Sequence, residues 1–78
     1  MNEPRTWNPQ HVSVSSSNIE SVAYNDVSRT LQVKMRHGKT FEYANVPAEV
    51  HTGLMAARSI GGYHHEKVKG KFETKEVV

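Results

Sequence analysis

The sequence predicts a small α+β domain, a three-stranded antiparallel meander packed against two short C-terminal helices. Three observations carry this. The middle of the chain alternates apolar and polar residues at period two, as a half-buried strand does. A helix-spaced apolar stripe follows Val46-Pro47. The whole chain has 78 residues, enough for one core and no more.

Met1 to Gln10 is polar, holds Pro4 and Pro9, and reads as a flexible arm. Trp7 is its lone aromatic residue, expected to dock on the domain ahead of serving an intermolecular contact. The boundaries that follow are an arm over 1–11, a domain over 12–73 and a tail over 74–78. Ser15-Ser16-Ser17-Asn18 suits a turn or bulge, because these side chains bond to nearby backbone. Ile19 to Tyr24 is the first strand and Asn25 to Ser28 a turn. In Thr30 to Arg36, Leu31, Val33 and Met35 share one face, and Gln32, Lys34 and Arg36 share the other. His37-Gly38 connects to a return strand, Lys39 to Asn45, with Phe41 and Tyr43 on one face.

Pro47 fits a first helical position, where a missing N–H costs nothing. Ala48 to Ala57 then reads as a helix whose apolar stripe is Val46, Val50, Leu54 and Ala57. Gly53 either weakens this helix from within, by up to ~1 kcal/mol, or permits close approach of the helix to the sheet. Ser59 is placed to cap a second short helix that Gly70 ends. Lys71 to Val78 alternates weakly around Phe72 and suits a short C-terminal edge strand. The expected core is Leu31, Val33, Met35, Phe41, Tyr43, Val50, Leu54, Tyr63 and Val68.

Composition narrows the function classes. There is no cysteine, so disulfides and thiolate zinc sites are excluded. No apolar run approaches the ~20 residues of a membrane-spanning helix, and the N-terminus lacks the apolar stretch of a secretory signal. A cytoplasmic location, in the host cell if the gene is phage-borne, is the default expectation. The formal charge of +2 lies wholly in the last quarter, where residues 58–78 hold five Lys or Arg against three Glu.

Three blocks then resemble a known family. Ser16-Ser17-Asn18-Ile19 leads to Val22-x-Tyr24. Phe41-Glu42-Tyr43 is followed by Val46-Pro47. Ser59-x-Gly61-x-Tyr63-x-His65-x-x-Val68-Lys69-x-x-Phe72 is the third. In this order they resemble the KTSC domain, a module also found at the C-terminus of some lysyl-tRNA synthetases and alone in small bacterial and phage proteins. The family pattern usually has Tyr where Phe41 stands, and often Asn and Tyr where His65 and Phe72 stand. Two phenol hydroxyls are thus absent here, and a packing role at those positions remains. The resemblance implies no established activity; RNA binding has been suggested for the family from its attachment to the synthetase.

Among sites, the Gly-x-Ser-x-Gly turn and a Ser-His-Asp set are missing, and the carboxylates are scattered; the domain reads as non-catalytic and without a cofactor. His51, His64 and His65 do not stand at metal-ligand spacing, so no metal site is expected. The strongest signal is phosphate-directed. Ser59, Gly61 and Gly62 lie at a helix start, with Arg58, Lys67, Lys69 and Lys71 close in sequence. Phe41, Tyr43 and Tyr63 serve either as core or as stacking surfaces for bases; for Phe41 and Tyr43 the strand parity favours core.

The expected function is a non-catalytic module that binds RNA or another phosphate-bearing ligand through its basic C-terminal segment. The alternatives are a phage or prophage protein-interaction domain that binds a host protein or self-associates as a homo-oligomer, and a nucleotide-sequestering protein. No membrane partner is expected.

Overall fold

A computed structural model describes residues 7–77. The expectations for Met1 to Thr6, including Pro4, lie outside the described residues, as does that for Val78.

Five strands form one antiparallel sheet in chain order. They are β1 Val12–Ser13, β2 Ile19–Asn25, β3 Thr30–Met35, β4 Thr40–Tyr43 and β5 Thr74–Val77. The expected three-stranded meander is therefore the centre of a wider sheet. β5 is the anticipated C-terminal edge strand, so Thr74–Val77 is sheet rather than tail. β1 adds the other edge. Val12 and Val14 alternate with serines there, but only Val12 and Ser13 pair with β2. The edges are blunt: β1 is two residues long and β5 carries Lys75 and Glu76, which discourages further pairing.

Pairing between β2 and β3 shifts register between Ile19 and Ser21. This bulge lets Ile19 stay on the apolar face with Val22, while Glu20 turns to the other face and meets Lys34 at 3.6 Å. Asn45 closes β4 with φ at +58°, a left-handed conformation that Asn tolerates.

The helices cover the apolar face. α1 spans Ala48–Ala56, one residue shorter at its end than expected, and Pro47 precedes it rather than forming its first helical residue. Pro47 is its N-cap in extended conformation, and the Pro47 carbonyl accepts from the Val50 N–H at 3.0 Å. The second helix differs more from expectation. α2 is one turn, Ile60–Tyr63, and passes into a π-helical turn, His64–Val68. Its signature is the Lys69 N–H donating to the His64 carbonyl, five residues back, at 2.8 Å.

The fully buried core is Ile19, Val22, Leu31, Val33, Val46, Leu54 and Val68. Met35, Phe41, Val50 and Tyr63 pack on it half-buried rather than within it. Gly53 explains the seat of Tyr63: a β-carbon at position 53 would collide with the Tyr63 phenol. The glycine thus serves the approach of α1 to α2, not to the sheet.

The other sheet face is polar yet partly covered. His11 sits between Ser21 Oγ, 2.8 Å from Nδ1, and Gln32 Oε1, 3.0 Å from Nε2. Gln32 Nε2 donates onward to Glu42 Oε1 at 3.0 Å, and Lys75 Nζ lies 3.9 Å from Glu42. This row ties the end of the N-terminal arm across the sheet. Ser21 and Gln32 are buried by it, at 6% and 5% exposure, so His11 is anchored, and Trp7 is half-buried.

Candidate anion-binding groove

The serine run builds one wall of a groove. Ser16 Oγ accepts from the N–H groups of Asn18 and Ile19, both at 3.2 Å, which is the local bonding expected of such a segment. The Asn18 carbonyl accepts from the Arg36 N–H at 2.9 Å. The Ser16 carbonyl accepts from Arg36 Nε at 2.7 Å. Arg36 leaves the strand alternation at the end of β3 and is fastened beside Asn18. One edge of its guanidinium is used in this, and the remaining N–H groups can serve a ligand.

The π-helical turn builds the opposite wall. Within it His64 and Val68, four residues apart on one face, are buried at 6% and 0% exposure. His65 and Lys69 remain exposed. Between the walls is a groove of about 410 Å³, lined among others by Asn18, Arg36, His37, His64, His65 and Lys69. Two permanent cations and three imidazoles converge there, and among the described residues no carboxylate lines it.

His64 forms the floor. Its Nε2 lies 2.8 Å from Tyr43 Oη, and the rings meet edge to face with centroids 5.7 Å apart. Burial lowers the His64 pKa, and the charges of Lys69 and His65 lower it further. Burial raises that of Tyr43. Both groups are thus held neutral at pH 7.

The residues named from sequence divide into three sets. Arg58, Ser59, Gly61 and Gly62 line a separate hollow of about 260 Å³ against Ser15 to Asn18. Ser59 Oγ accepts from the Gly62 N–H at 3.1 Å, so the serine itself takes up the helix start. Gly61 packs close to Asn18 and Ser16, and borders both hollows. Lys69 lines the main groove, whereas Lys67 and Lys71 line neither and are exposed. Tyr43 is core, as strand parity indicates; Phe41 and Tyr63 are half-buried.

Sequence reasoning missed Arg36 and His37 as partners of Lys69. Their signal was present only as two basic residues beside a turn. More than thirty residues separate them from Lys69, and the fold alone brings them together. His64 was missed as well, since adjacent histidines give no cue to which one is buried.

The KTSC domain family model matches residues 15–72. The chain belongs to the KTSC domain family. The match contains both groove walls and leaves β1, His11 and β5 outside it. The crystal structure of a KTSC domain protein from Yersinia pestis superposes with a TM-score of 0.88 at 34% identity, covering 91% of this chain and 100% of that one. A protein of Tsukamurella paurometabola is 37% identical over 59 residues, 76% of this chain and 88% of its own length. A lysine–tRNA ligase of Trichormus variabilis is 34% identical over 59 residues, again 76% of this chain but only 10% of the ligase. The KTSC segment is thus a small part of that enzyme.

Among the described residues, no group of three His, Cys, Asp or Glu is arranged to hold a metal ion. No described helix is long and apolar enough to cross a membrane.

Proposed function

We propose that this KTSC domain is a non-catalytic binding module for phosphate-bearing ligands, RNA among them. One observation carries the reading: Arg36, His37, His65 and Lys69 line one groove in which no described residue places a carboxylate. A cleft walled by one sign of charge concentrates ligands of the other. Arg36 is positioned in advance by Ser16, so less entropy is lost when its free N–H groups meet a phosphate. The ligase relative carries a similar segment, which supports RNA as the physiological phosphate source.

The reading moves the site from the Ser59–Gly62 helix start to the groove beside it. Lys69 is shared by both versions. The test is fluorescence anisotropy of a labelled single-stranded RNA at several salt concentrations. Arg36→Glu with Lys69→Glu is expected to abolish binding at low salt. Lys69→Ala is expected to weaken it and reduce the salt slope by roughly 0.7, the value for one lost phosphate contact on a single strand. Lys67→Ala and Lys71→Ala change little. Unaltered binding by the double variant sinks the proposal.

A further inference from the structure

A second hollow, of about 290 Å³, lies beside the groove and shares Met35, His37, His64 and Lys69 with it. Its remaining lining has a different chemistry: Phe41, Tyr43, Gly70 and Thr74, with a surface mostly apolar. The two hollows are thus a cationic compartment and an aromatic compartment with a common border. The cationic hollow by itself lies within the range of a small-ligand site, about 300–1,000 Å³, and the aromatic one beside it extends the available space.

We infer that the combined groove takes a single nucleotide, with its phosphate in the Arg36–Lys69 compartment and its base in the Phe41–Thr74 compartment. This rests on the phosphate reading of the same groove and adds what the ligand carries next to its phosphate. The argument is one of adjacency. A phosphate alone is satisfied by the cationic half and leaves the aromatic half unused. Sequence-tolerant strand binding uses a basic track with successive stacking faces; here one apolar recess sits beside one cationic recess, room for one nucleotide, free or at one position of an RNA. A nucleotide joins a planar apolar ring to a phosphate through one sugar, which matches that sequence of surfaces. His37 and Lys69 border both halves and can reach the sugar or the phosphate. Tyr43 and His64 satisfy each other at 2.8 Å, so the wall between the halves is set before a ligand arrives.

The test is a set of titrations of the full isotope-labelled chain, followed by amide chemical shifts, with inorganic phosphate, ribose 5-phosphate, adenosine 5′-monophosphate and uridine 5′-monophosphate. The expected result is at least tenfold tighter binding of one or both nucleotides than of ribose 5-phosphate. Nucleotides are expected to shift resonances of Phe41, Gly70 and Thr74, and ribose 5-phosphate only those around Arg36 and Lys69. Thr74→Phe, at an exposed strand position, narrows the recess and is expected to remove the nucleotide advantage while leaving ribose 5-phosphate affinity unchanged. Phe41→Leu is expected to reduce the advantage without emptying the core. Equal affinity for ribose 5-phosphate and both nucleotides overturns the inference and leaves the phosphate reading standing. No shift with any phosphorylated compound overturns both.

Discussion

Two tyrosine–histidine pairs join the sheet to the helices, and they are built differently. Tyr24 of β2 stacks on His51 of α1, with ring centroids 4.5 Å apart and planes 15° from parallel. Its hydroxyl goes elsewhere, donating to the Val46 carbonyl at 2.6 Å. Tyr43 of β4 meets His64 edge-on, and there the hydroxyl reaches the imidazole itself. Burial lowers both histidine pKa values, but only His64 has neighbouring cations adding to the effect. The first pair fastens α1 and the loop before it. The second closes the floor between two hollows. The comparison shows that identical residue types can pin a helix or shape a groove, depending on where the phenol spends its hydrogen bond.

The most direct way to break the comparison is truncation of each imidazole. His64→Ala leaves an internal gap and strands the buried Tyr43 hydroxyl, with an expected loss of about 2–4 kcal/mol. His51→Ala removes one face of a half-buried stack and is expected to cost about 0.5–1.5 kcal/mol. Urea unfolding of both variants measures the difference; equal losses would show that the two pairs carry the same load. The seat of α2 gives the next effect. Gly53→Ala forces the Tyr63 phenol away and is expected to destabilise by about 1–3 kcal/mol, with Tyr63→Leu in the same chain recovering part of the loss. A Gly53→Ala protein as stable as the parent removes the close-approach explanation.

A pH series sharpens the comparison without truncation. A buried neutral imidazole contributes stability that is present in full above the free-imidazole value, about 6.5, and is lost as pH falls through the lowered folded value. Thermal midpoints are therefore expected to decline as pH falls below about 6.5. His64→Gln is expected to flatten that decline more than His51→Gln, because Lys69 and His65 add charge beside His64. The hydrogen bond is not the cause, since a protonated His64 can still donate to Tyr43. A decline unchanged in His64→Gln contradicts this account.

The two groove walls show how much was legible beforehand. Ser16 to Ile19 and Ser59 to Lys69 were visible as blocks, since local bonding and glycine placement leave marks in sequence. Lys69 was identified with them. Arg36 was assigned by alternation to the face away from the core. It follows the end of β3 at Met35, and its place in the groove is set by the Ser16 carbonyl that its guanidinium donates to, a partner that alternation does not reveal. The inward turn of His64 has the same kind of origin. A π-helical turn is set by one displaced hydrogen bond, which no spacing of residue types announces.

What the sequence determined by itself was the α+β class, the alternation of β3 and β4, the capping role of Ser59 and a C-terminal excess of positive charge. These follow from properties of single residues and near neighbours. The tertiary structure decided the width of the sheet, the anchoring of His11 across it, and the meeting of Arg36 and His37 with Lys69. Those depend on free energies shared between distant segments. Two residues become β1 only when β2 offers them an edge, and a basic turn becomes part of a site only when a helix from the other end of the chain packs opposite it.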